Sequence, residues 1–105
     1  MGYVGQERRQ QERTDIDPYD KGYFLEADFG GKQYRFNPLN TSTGGMGMLV
    51  SDQEAEFLRR VHPGDRIKMK YSTPDSNVVM NFELRYITRI KVGPFRGHYQ
   101  VGLAL

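Results

Sequence analysis

From Tyr23 the chain alternates with a period of two. Tyr23, Leu25, Ala27 and Phe29 fall on one side, with Phe24, Glu26 and Asp28 between them, which predicts a half-buried strand. Gly30-Gly31 supplies the positive φ of a tight hairpin. A second strand follows from Lys32 to Asn37, with Tyr34 and Phe36 inward and Gln33 and Arg35 outward. Met46 to Val50 is a short apolar run suited to a third strand. Ser51-Asp52-Gln53-Glu54 has the spacing of a capping box and opens a short helix over Asp52–Val61, which His62-Pro63-Gly64-Asp65 stops. Arg66 to Tyr71 alternates again, with Ile67, Met69 and Tyr71 on one face. After the turn Thr73–Asn77 comes the longest pattern. Met80, Phe82, Leu84, Tyr86, Thr88, Ile90 and Val92 share one face, and a strand of that length must bend or bulge. Gly93-Pro94 ends it, and Tyr99, Val101, Leu103 and Leu105 form the inner face of the last strand.

These strands, with tight turns and no strand–helix–strand rhythm, predict an all-β fold. The expected architecture is a small antiparallel barrel or closed sandwich with at most one short helix. Residues 1–22 are different. They are polar and charged, with too few apolar positions to bury a helix face. The cluster 6–13 can wind into a turn or two of helix, with Arg9 and Arg13 on one side, before Asp17-Pro18 breaks it. The division expected is a flexible N-terminal arm over 1–22 and a β-barrel domain over 23–105. The chain begins Met-Gly and stops at Leu105 within an apolar strand pattern, so a domain taken from a longer protein is expected.

Composition narrows the function. A chain of 105 residues holds one modest core. There is no cysteine, which excludes disulfides, thiolate metal sites and cysteine nucleophiles. No apolar run approaches the roughly 18 residues of a membrane span, so membrane insertion is not expected and a cytoplasmic location is. Fifteen basic residues against 13 acidic give a net charge of +2 with the signs well mixed. That argues against a dedicated nucleic-acid binder, which usually presents a clustered basic face. His62 and His98 lack neighbouring ligands at metal spacing, and Ser42 lacks the glycine–serine–glycine elbow of a nucleophile. Neither a catalytic constellation nor a metal or cofactor site is expected.

What stands out is a pair of polar segments. Arg8-Arg9-Gln10-Gln11-Glu12-Arg13 puts two arginines four apart, and a planar guanidinium suits both phosphates and the guanine edge. Asn40-Thr41-Ser42-Thr43-Gly44-Gly45 offers an amide, three hydroxyls and bare backbone, in what reads as a loop between strands. Each alone is what an ordinary solvated segment carries. Together, Arg-x-x-x-Arg followed by Asn-x-Ser-x-x-Gly resembles the signature of the PilZ domain, the bacterial receptor domain for cyclic di-GMP. The run Gly45-Met46-Gly47-Met48 is similar to that family's glycine-apolar repeat. His62-Pro63-Gly64-Asp65-Arg66-Ile67 is similar to its Gly-Asp lead into a strand, and Tyr99-Gln100-Val101-Gly102-Leu103 to its last strand.

The resemblance spans residues 8 to 105 and implies a six-stranded antiparallel PilZ-type β-barrel that binds cyclic di-GMP and does no chemistry on it. It implies Arg9 and Arg13 on phosphates and guanine edges, Asn40 and Ser42 reading a guanine, and Gly45 keeping the loop's shape. Arg8, just ahead of the motif, implies a stacked ligand dimer. Many family members continue into a helix after the last strand, and none follows here, which leaves oligomerisation and output open. The expected mechanism is ordering of the arm by ligand, which alters a surface seen by a protein partner or neighbouring domain. The alternatives are a PilZ-like protein adaptor without nucleotide binding, and a small barrel binding single-stranded nucleic acid through Arg85, Arg89, Lys91 and aromatics.

Overall fold

The computed structural model describes residues 13–105. Seven strands form one antiparallel sheet: β1 (Thr14–Asp15), β2 (Phe24–Phe29), β3 (Lys32–Ser42), β4 (Gly45–Val50), β5 (Arg66–Ser72), β6 (Asn77–Arg89) and β7 (Tyr99–Ala104). The order is β1-β3-β2-β5-β6-β7-β4, and β4 returns to pair with β3. That last pairing closes β2 to β7 into a six-stranded barrel, the expected architecture. Closure leaves no unpaired edge among those strands except where they splay.

The alternation seen in the sequence is the alternation of the barrel wall. Leu25, Ala27, Tyr34, Phe36, Met48, Ile67, Met69, Phe82, Leu84, Val101 and Leu103 are all buried in one interior cluster. Between β4 and β5 a 3₁₀ turn (Asp52–Glu54) leads into α1 (Ala55–Leu58), shorter than the expected Asp52–Val61. Glu54 accepts from the Ser51 N–H at 3.2 Å, so the helix starts where the capping spacing says. It ends early because the segment after it is docked. Gly64 N–H donates to Leu84 O at 2.7 Å and Leu84 N–H to Asp65 O at 2.9 Å, which ties the stop segment to β6. The helix serves to deliver Phe57, fully buried, whose ring lies 4.9 Å from Phe36 and 5.2 Å from Tyr34.

Three expectations need correction. β3 does not end at Asn37 but runs on to Ser42, so Asn40 and Ser42 stand in a strand rather than a loop. β6 spans Asn77–Arg89, not Met80 to Val92. Its inward face also changes part way. Leu84 pairs with Leu103 and Tyr86 with Gly102, so Arg85 is an extra residue, a β-bulge. Beyond it Ile87, not Tyr86, lies on the inner face opposite Val101, and Tyr86 is 37% exposed.

Candidate ligand-binding site

A matching bulge occurs in β3. Pro38 pairs with Met48 and Asn40 with Gly47, which leaves Leu39 unpaired on that side. Without it, strict alternation after Tyr34, Phe36 and Pro38 would turn Asn40 inward. With it, Thr41 shares the inner face with Met46, and Asn40 and Ser42 share the outer face with Gly47 and Gly45. The Leu39 carbonyl accepts from Ile16 N–H at 2.8 Å. β1 then pairs on the free side of β3, Asp15 opposite Asn40 and Thr14 opposite Thr41. Residue 13 is thereby set next to the polar end of β3.

The two bulges act on one patch of wall. Reading across the ladders gives a row of outward positions: Asp15, Asn40, Gly47, Gly102 and Tyr86, from β1 through β3, β4 and β7 to β6. The middle of this row is two glycines, each covered by a neighbour's side chain: the Asn40 amide lies on Gly47 and the Tyr86 ring on Gly102, and both glycines are buried. A cavity of about 360 Å³ opens here, lined among others by Arg13, Ser42, Gly45, Arg85, Tyr86 and Gly102.

Arg13 Nη1 donates to Asn40 Oδ1 at 3.0 Å, and Gly47 N–H donates to the same oxygen at 3.1 Å. Both partners are obligate donors, so the amide oxygen must face them and the amide N–H groups remain for other contacts. Ser42 Oγ is 3.4 Å from Gly45 O, a long hydrogen bond that leaves the hydroxyl easy to recruit. Gly45 is needed for space. A Cβ there would collide with the Leu103 carbonyl and come within 2.9 Å of Ala104 Cα, so its role is close approach of β4 to β7. Arg85 brings a second guanidinium, its link to Glu83 being a loose 4.0 Å.

Of the six expected site residues, Arg13, Asn40, Ser42 and Gly45 come together here. Arg8 and Arg9 lie outside the described residues. Four more residues join them: Gly47 and Gly102, expected only as parts of glycine-apolar runs, Arg85, expected only for the nucleic-acid alternative, and Tyr86, expected in the core. The available signal was Ile87, an apolar residue on what strict alternation makes the outer face of β6.

Elsewhere the charged wall residues pair with each other. Glu26 holds Arg35 at 2.9 Å and Lys70 at 3.4 Å, and its carboxyl is held below the usual range by the Arg35 hydrogen bond first, with burial opposing and Lys70 adding. Burial, and then the neighbouring Tyr23, push the Tyr71 hydroxyl up. A hollow of about 270 Å³ where β2 and β5 splay apart is lined by Glu26, Lys68 and Lys70, so part of its charge is already neutralised. Among the described residues no group of three His, Cys, Asp or Glu is placed to hold a metal ion, and no helix is long and apolar enough to cross a membrane.

No protein-family model and no curated protein matches the chain by sequence. Solved structures do. The K. pneumonia MrkH–c-di-GMP complex superposes with a TM-score of 0.75 at 15% identity over 92% of this chain. A second structure, of MrkH as a c-di-GMP-dependent transcription regulatory factor, gives 0.72 at 13% over 90%. The chain spans only 43% and 41% of those two chains. The PilZ domain of YcgR from Escherichia coli, with c-di-GMP, gives 0.67 at 19%, covering 92% of this chain and 76% of that one. With six strands closed into one antiparallel barrel, a single short helix and these superpositions, the chain has the fold of a PilZ domain.

Proposed function

We propose that this protein is a receptor for cyclic di-GMP, bound in the trough between Arg13, Asn40, Ser42 and Gly45. The observation that carries the reading is the Arg13–Asn40 contact at 3.0 Å between residues 27 apart in sequence. Two segments that resemble the two halves of a ligand-binding signature meet in one cavity, on a fold shared with domains solved with that ligand. The chemistry fits. A guanidinium can take a phosphate or the guanine O6 and N7 in a bidentate grip, and the Asn40 amide and Ser42 hydroxyl can hydrogen-bond a base edge.

In this reading ligand draws Arg8 and Arg9 to the trough beside Arg13, and Arg8 favours a stacked pair of ligand molecules. The closed arm then presents a changed surface to a protein partner or neighbouring domain in the cytoplasm. The ligand is bound and released unchanged. The test is calorimetric titration with cyclic di-GMP, on wild type and Arg13→Ala, with GMP as control. Saturable binding by wild type alone is expected, with more than one ligand per chain. Absence of heat in wild type would sink the receptor reading, and a fitted ratio of one would sink the ligand pair.

A further inference from the structure

We propose that Tyr19, Asn37 and Phe95 form a latch that holds the segment after Arg13 on the barrel wall, and that they are positioning residues for ligand binding. None of the three lines the trough. The proposal rests on the receptor reading and carries it to a loop and a hairpin outside both signature segments.

The latch begins with a mismatch of length. β1 and β2 lie along the same edge of β3, since β4 occupies the other. Asp15 stands opposite Asn40 and Leu25 opposite Phe36, so the first chain is far longer than the stretch of β3 it runs beside. The excess between Ile16 and Tyr23 loops out and is folded by its own aspartates. Asp17 takes the Tyr19 N–H on its side chain and the Asp20 N–H on its carbonyl, both at 2.9 Å, and Asp20 Oδ1 takes the Gly22 N–H at 2.9 Å. Two outside contacts then fix this loop. The Asn37 amide on β3 donates to the Pro18 carbonyl, and the Tyr19 ring meets the Phe95 ring at 5.5 Å between centroids. Phe95 sits in the hairpin joining β6 to β7, which is held shut by Ile90 N–H to His98 O and Gly97 N–H to Ile90 O, both 2.9 Å. Beside Asn37 in the ladder, Leu49 faces outward yet is only 8% exposed and stands apart from the interior cluster, so it is covered from outside the barrel.

A tyrosine resting on a neighbouring hairpin can be ordinary packing. Two features point further. Tyr19 is 70% exposed, so its contact with Phe95 buries little and contributes little to the barrel itself. What the contact does hold is the arm. β1 is two residues long, a ladder too short to stay paired alone, helped by one further bond from Ile16 N–H to the Leu39 carbonyl at 2.8 Å. Arg13 is the next residue back from β1. Without the latch, ligand must order this segment as it binds, which lowers affinity; with it, the guanidinium is already beside Asn40. By linkage, ligand held by Arg13 tightens the latch in turn.

The experiment titrates cyclic di-GMP calorimetrically into the full chain as wild type, Tyr19→Phe, Tyr19→Ala, Phe95→Ala and the double alanine variant, with thermal midpoints measured alongside. Tyr19→Phe should keep wild-type affinity within about twofold, and each alanine variant should lose about fivefold. The double variant should lose no more than either single one, because the two rings act as one contact. In parallel, hydrogen exchange is followed in residues 93–98. Saturating ligand should slow exchange there in wild type and not in Tyr19→Ala, an effect that packing alone would not produce. Wild-type affinity in both single alanine variants would overturn the proposal while leaving the receptor reading intact. Should those variants be too unstable to titrate, the wild-type hairpin decides: exchange that ligand leaves unchanged overturns the proposal. A wild type that binds no cyclic di-GMP removes both readings together.

Discussion

Arg13 and Asn40 are joined by a 3.0 Å hydrogen bond whose acceptor oxygen also takes the Gly47 N–H at 3.1 Å. The arm, β3 and β4 thus meet at one atom. The Arg13 contact is exposed, so little stability rides on it. Its value is positional. Either Arg13→Ala or Asn40→Ala should weaken cyclic di-GMP binding about tenfold or more, since each removes a hydrogen bond to a charged group or its positioner. The double variant should lose less than the sum, by about 1 kcal/mol. A calorimetric double-mutant cycle measures this, and strict additivity would mean that the two side chains act independently.

Gly45 and Gly47 sit on the same outer face but should respond differently to alanine. At Gly45 the obstacle is the backbone of β7 at Leu103 and Ala104, which cannot move without opening the β4–β7 ladder. Gly45→Ala should cost about 2 kcal/mol in urea denaturation. At Gly47 the neighbour is the Asn40 amide at 3.1 to 3.3 Å, a side chain that can give way. Gly47→Ala should leave stability nearly unchanged and weaken ligand binding, because it displaces Asn40. Equal loss of stability in both variants would contradict this division.

The barrel wall was legible because burial follows the pleat. Leu25, Phe36, Ile67, Met69, Phe82 and Val101 can be picked out as inward by period alone, and all are buried. Alternation carries no information about a bulge, which shifts the period by one without a fixed residue type. Hence Asn40 and Ser42 read as a loop, and Tyr86 as core. Glycines mark turns in sequence, as at Gly30 and Gly31 with their positive φ. They do not announce which neighbouring side chain will lie on them, as Asn40 does on Gly47 and Tyr86 on Gly102, since that depends on which strands lie side by side. The brief β1 pairing was also invisible: Thr14-Asp15 has no strand signal, and its order comes from the edge of β3 that β2 leaves free.

Phe57 should be the most costly truncation in α1. Its ring is fully buried against Phe29, Tyr34 and Phe36, at 5.6, 5.2 and 4.9 Å between centroids. A helix of four residues has too few internal hydrogen bonds to stand on its own, so this anchor is what holds it. Phe57→Ala should destabilise by about 3–5 kcal/mol. Far-UV and near-UV circular dichroism through a thermal scan would test it, and a fall in midpoint no larger than that of a surface variant such as Arg59→Ala would show that the helix is held elsewhere.

Glu26 should set part of the acid sensitivity of the barrel. Its carboxylate ties Arg35 on β3 to Lys70 on β5 across the intervening strand β2, at 2.9 and 3.4 Å. The Arg35 hydrogen bond is the largest influence and lowers the pKa, burial opposes it, and Lys70 reinforces it. A carboxyl whose folded pKa lies below its ordinary value of 4.5 contributes stability that is fully present above that pH and is lost as pH falls through the folded value. Glu26→Gln keeps the shape, removes the charge and takes that proton uptake away. The variant should be less stable than wild type at about pH 7, and the gap should narrow as the pH falls through the folded value, where the wild-type carboxylate is also neutralised. Urea titrations over a descending series of pH values measure the gap directly. A gap that stays constant would place the acid linkage on other carboxylates and leave Glu26 with a packing role only.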